Sequence, residues 1–242
     1  MEENTLTERP FMQLLSDAVA LMLLAEEHER ATDAAGLFSR SSLLHIVFSL
    51  ESAANCALMD LMLSKRMAYL YENFSLIDKF EAILTLEQPH TEFDRGCRSV
   101  QAVQELIAIR NRYVHPKASP GPLIGEAILD RRFAVESGIH QTTKISHRPV
   151  NWSARDARHA IECVIGFLDQ FFIDWCKFSD RRVEALLVSS VRFDAQLVGN
   201  DPGPIFGIIC DKRVAELLQQ ARLAPRFVDF DRWRREAATA ED

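Results

Sequence analysis

Three residues in a stretch of thirteen could do chemistry on a phosphodiester. The segment ELIAIRNRYVHPK, residues 105–117, carries Arg110, Asn111 and His115. A histidine can take the proton of a ribose 2′-hydroxyl or give one to a leaving 5′-oxygen. A guanidinium can hold phosphate oxygens and offset the charge that grows on them in the transition state. Neither role needs a metal, and the seven histidines of the chain fall in no ligand spacing.

The segment must be positioned by a helix. At 3.6 residues per turn, Val100, Val103, Leu106, Ile107, Ile109, Tyr113 and Val114 gather on one arc, with Gln101, Gln104, Glu105 and Arg112 on the other. Arg110 falls among the apolar set. A cation there costs several kcal/mol unless it is paired or hydrated. Either a carboxylate such as Glu51 meets it, or it lines an interface or cleft that a ligand can reach. Asn111 and His115 stand one turn apart and share a face. Pro116 disfavours further helix at His115. The histidine therefore sits at the helix C-terminus, where the macrodipole favours a cation. Arg112 and Lys117 add local positive charge.

The rest of the chain reads as helices. Apolar spacing over 10–33, with Gly36 ending the segment, gives the first. A second, apolar almost all round and so central, runs from about Ser41 to Lys65. Glu51 and Asn55 lie one turn apart at its edge. A third covers 75–86 and a fourth about 98–115; the fifth, about 154–178, has Ser153 as N-cap and Asp156 three residues on. Between them, 117–152 is a long irregular insertion with β-like stretches around Gly138 that fit a small hairpin. After Asp180 the character changes. VEALLVSSVRF fits helix or strand, CDKRVAELLQQARL is a short amphipathic helix, and RWRREAATAED is a polar tail expected to fray. The expected architecture is all-α: a helical domain over 10–180 with an insertion at 117–152, then a C-terminal appendage over 181–242.

Composition bounds the function. The 242 residues are 48% hydrophobic and 26% charged, an ordinary globular balance with length enough for a real core. The net charge of −7 gives no global field for holding nucleic acid, so polyanion contact must come from a local cluster. Five scattered cysteines, none in a C-x-x-C pair, point to reduced thiols in the cytoplasm and away from a disulfide framework or zinc ribbon. The start MEENTLTERP is acidic and polar, unlike a secretory signal. The most apolar run, 43–63, carries His45, Glu51, Asn55 and Asp60, too polar to span a bilayer.

IRNRYVHP at the end of a long amphipathic helix resembles the signature of the HEPN superfamily: Arg, four to six residues, then His, commonly with a polar residue directly after the Arg. Arg110, Asn111 and His115 match it with four intervening residues. By helix order the resemblance extends over about 10–178. It implies a HEPN-like bundle of about five helices. It also implies a metal-independent endoribonuclease of prokaryotic defence or toxin–antitoxin type, needing no cofactor and working as a homodimer in which two motifs face each other. Arg110 and His115 would then be catalytic with Asn111 assisting, and Arg112, Lys117, Glu51 and Asn55 would contact RNA. An antitoxin or regulatory protein would be a further partner, with no membrane involved. Where one toxin subgroup has a modified tyrosine two residues after the His, this chain has Lys117, so that regulation does not carry over. Other members have lost catalysis, and the alternative is a non-catalytic helical interaction module.

Overall fold

A computed structural model describes residues 5–29, 32–116, 123–124, 134–135, 138–193, 205–209 and 211–239. Its elements are β1 (Thr5–Thr7), α1 (Phe11–Glu27), α2 (Thr32–Asp60), α3 (Lys65–Glu72), α4 (Leu76–Glu87), α5 (Arg98–Val114), β2 (Leu123–Ile124), β3 (Ala134–Val135), α6 (Ala154–Leu168), α7 (Asp180–Leu187), β4 (Ser190–Phe193), β5 (Ile205–Ile208), α8 (Lys212–Gln220) and α9 (Phe230–Thr239). α6 continues as a π-helical stretch, Asp169–Trp175. The described residues are mostly helical, as expected.

The chain divides into two compact units: residues 17–48 with 94–167, and residues 1–16 with 49–93 and 168–242. In the first unit, the buried residues of α5 recur at helical spacing as Val100, Val103, Leu106 and Ile109. Ser42 on α2 donates to the Ala18 carbonyl of α1 at 2.7 Å, satisfying a hydroxyl that would otherwise be buried alone. His45 is held in the same way, its Nδ1 2.8 Å from the Ser41 carbonyl. α6 opens with a capping box. Ser153 Oγ accepts from the Asp156 amide, and Asp156 Oδ2 accepts from the Ser153 amide at 2.8 Å. β2 and β3 pair antiparallel within the 117–152 insertion, and Ile139 bridges Ser146. Around Gly138, where β-like stretches fit a small hairpin, the described residues 138–147 have this one antiparallel bridge and no strands.

In the second unit, Phe80, Phe171 and Phe172 are fully buried, with Phe80 and Phe171 in an edge contact at 4.7 Å. Asp169, buried at the start of the π-helical stretch, accepts the backbone amides of Arg226 and Phe227 at 2.6 and 2.9 Å. β1, β4 and β5 form an antiparallel sheet in that order, with Leu6 opposite Val191 and Val191 opposite Gly207.

Four local expectations change. α1 stops at Glu27, and Gly36 lies inside α2. One helical glycine costs about 1 kcal/mol, which the continuing apolar pattern overrides. VEALLVSSVRF is both things, helix to Leu187 and strand from Ser190. The sheet adds strands to an all-helical expectation, because a three-residue strand such as Thr5–Thr7 has no periodicity to read. Last, the polar tail is helical through Thr239: Trp233 is 1% exposed, and its indole N–H donates to buried Glu184 at 3.0 Å.

α2 over Asp33–Asp60 is, among the described residues, the one helix long and apolar enough to cross a membrane. Of its most apolar window 61% is buried inside the protein, as a core helix requires.

Candidate active site at the end of helix α5

The last turns of α5 present the motif in layers. Arg110 is half-buried, its guanidinium carbon 5.8 Å from the centre of the Phe48 ring of α2. A cation over an aromatic face gains from the ring quadrupole, which offsets part of the burial cost. Burial pulls the guanidinium below its ordinary pKa. Asn111, Arg112 and His115 are exposed. Tyr113 is half-buried against Trp152, with ring centres 5.5 Å apart.

His115 is the residue at which the chain leaves the helix. Its φ of −120° and ψ of 64° are not helical, yet its amide still donates to the Asn111 carbonyl at 3.0 Å. On an ideal helix, residues five apart point about 140° away from each other. The backbone bond to Asn111 keeps His115 in register with the last turn, and the chain departs from the helix after it.

The remaining candidates are Lys117, Glu51 and Asn55. Lys117 lies outside the described residues. Glu51 and Asn55 belong to the other unit. Glu51 is half-buried there, and Asn55 is exposed with its amide oxygen accepting from Lys79 Nζ at 2.8 Å. The structure thus groups Arg110, Asn111, Arg112 and His115 on one helix end in one unit.

Compared with known protein families, curated proteins and solved structures, the chain matches none. Its chemistry must be argued from its own residues.

Sequence reasoning missed the group beside this helix end. Glu105, one face of α5 further back, grips the turn after His140. Its carboxylate accepts from the Thr142 amide at 3.0 and 3.1 Å, the Thr143 amide at 2.8 Å and the Thr143 hydroxyl at 3.0 Å. Burial opposes the charged form, but these donors outweigh it and hold the carboxyl below its usual range. The turn brings His140 and His147 together, ring centres 4.4 Å apart and edge to face. Two histidines seven residues apart around a Thr-Thr turn are the only trace of this in the sequence.

Proposed function

We propose that the chain is a metal-independent endoribonuclease of prokaryotic defence or toxin type, cytoplasmic, acting as a homodimer with a composite site. The observation that carries this reading is the end of α5: a half-buried arginine followed by exposed Asn111 and His115, at the spacing of the HEPN signature.

The 2′-hydroxyl oxygen attacks the adjacent phosphorus, and the bond from phosphorus to the 5′-oxygen breaks. The products are a 2′,3′-cyclic phosphate and a 5′-hydroxyl end. His115 of one chain accepts the 2′-hydroxyl proton and, as the imidazolium, gives it to the departing 5′-oxygen, while the second chain supplies Arg110 to the same site. Arg110 holds the non-bridging oxygens as their charge grows. Asn111 donates a hydrogen bond that orients the phosphate. Exposed Val114, with Asn111 and His115 at the same helix end, would lie at the two-fold axis.

The test is cleavage of mixed RNAs by purified protein in EDTA. Arg110→Ala and His115→Ala abolish cleavage while circular dichroism stays that of the folded wild type. Intact RNA after incubation with the wild type would sink the proposal. If Arg110→Ala chiefly lowers the melting temperature, and His115→Ala changes nothing, Arg110 is a structural cation on Phe48 and the chain is an interaction module.

A further inference from the structure

Residues 138–147 form a tight bridged turn whose shape fixes a pair of imidazoles. His140 donates its amide to Ile145 O at 2.8 Å, and His147 donates its amide to Gly138 O at 2.9 Å. Lys144, at φ 61°, closes the turn by donating to His140 O at 3.1 Å. In this register Gly138 and His140 project on the same side as Ile145 and His147. Gly138 faces His147 and has no side chain. A Cβ there would lie 3.0 Å from His147 Nδ1 and 3.1 Å from Cε1. A side chain at 138 would make the His147 ring give by a few tenths of an ångström.

The pair is built for something other than packing. His147 is exposed. His140 is half-buried, and its Nε2 is buried with no hydrogen-bond partner among the described residues. Such an orphaned atom costs free energy that a purely structural residue would avoid. Burial first, and then His147 and Arg112, hold His140 below its ordinary pKa, with Glu105 acting the other way. Glu105, the carboxylate acting on His140, has both oxygens engaged by the Thr142 and Thr143 donors. Arg112 lies two turns along α5 from Glu105, so it shares that face, and it is exposed. A metal cation would be repelled by the guanidinium. An anion gains from the guanidinium and both rings at once.

We propose that Arg112, His140 and His147 form a phosphate subsite beside His115, which takes an RNA backbone phosphate next to the scissile one. The identity of the ligand rests on the ribonuclease reading; the anion preference does not. Arg112 and His147 meet the phosphate first. Rotation of the exposed His147 ring uncovers His140 Nε2, which then donates to it. Arg112 precedes His115 by three residues, so one strand can reach both the subsite and the helix end.

The experiment follows the imidazole resonances of the full chain by NMR at constant ionic strength, titrating inorganic phosphate against chloride. Phosphate shifts the His140 and His147 signals saturably. Arg112→Gln weakens that binding roughly tenfold, the worth of one charge-assisted hydrogen bond. His147→Ala weakens it likewise, read from the His140 signal. In RNA cleavage, Arg112→Gln and His147→Ala raise KM more than they lower kcat, whereas His115→Ala removes kcat. Unmoved imidazole signals, or phosphate affinity that survives Arg112→Gln, overturn the subsite. If both variants cleave as the wild type does, the subsite falls and the ribonuclease reading stands. If phosphate binds as described but the wild type cleaves no RNA, the ribonuclease reading falls and the anion site stands.

Discussion

Thr143 gives Glu105 both its amide and its hydroxyl, at 2.8 and 3.0 Å. This pair of hydrogen bonds to one carboxylate fixes the 138–147 turn against α5. Thr143 is 2% exposed, so water replaces the carboxylate poorly when it is lost.

Glu105→Ala should therefore destabilise the protein by about 2–4 kcal/mol, the cost of stranding buried donors. Hydrogen exchange at Thr142 and Thr143 should speed up well beyond the change elsewhere. Unaltered protection of those two amides would show that the turn stands without the clamp.

Acid should loosen the same region from two groups. Glu105 has its folded pKa lowered, so its contribution is present above the unfolded value of about 4.3 and is lost as pH falls through the folded one. His140 is also lowered. The unfolded chain takes up its proton first, near pH 6.5, so stability begins to fall there and keeps falling until His140 titrates in the folded state. Between pH 7.5 and 5.5 the His140→Gln variant should lose less melting temperature than the wild type, by about 2–4 °C. Equal slopes for the two proteins would contradict the burial of His140.

A third outcome concerns the C-terminal helix. Glu184 is 2% exposed and is bound by the Arg232 guanidinium and the Trp233 indole. Glu184→Ala should cost about 3 kcal/mol, since it strands a half-buried cation and a buried N–H together. Glu184→Gln keeps an acceptor for Trp233 and should cost less. Urea midpoints that rank the two variants the other way would refute this account of how α9 is held.

The composite site makes a stoichiometric prediction. Neither Arg110→Ala nor His115→Ala cleaves RNA alone. Mixed in equal amounts and allowed to exchange subunits, they should recover about a quarter of wild-type activity, because half the dimers are mixed and each has one intact site. No recovery, with subunit exchange verified, would place Arg110 and His115 in one chain.

Much of the helical framework is written in local sequence. α5 follows from its 3–4 spacing and its stop at Pro116, and α6 from Ser153 and Asp156. Arg110 stands out in sequence because a charge at a helical core position breaks a periodic pattern, and its half-burial on Phe48 is a property that the pattern implies. Gly36 misled because glycine marks a helix end only when the apolar period stops there, and here it runs on through α2.

What sequence alone determined is the set of helices and the residues that could do chemistry at the end of α5, since both depend on neighbours within a turn or two. Only the tertiary structure decided which distant groups meet. β1 needs β4, whose residues follow it by about 185 positions. Glu184 needs Trp233, and Glu105 needs Thr142 and Thr143. The His140–His147 pair depends on a register set by Lys144 in a left-handed conformation, which lysine's type does not signal. Periodicity records which face of an element is buried; it carries no information on which element, or which turn, arrives to cover it.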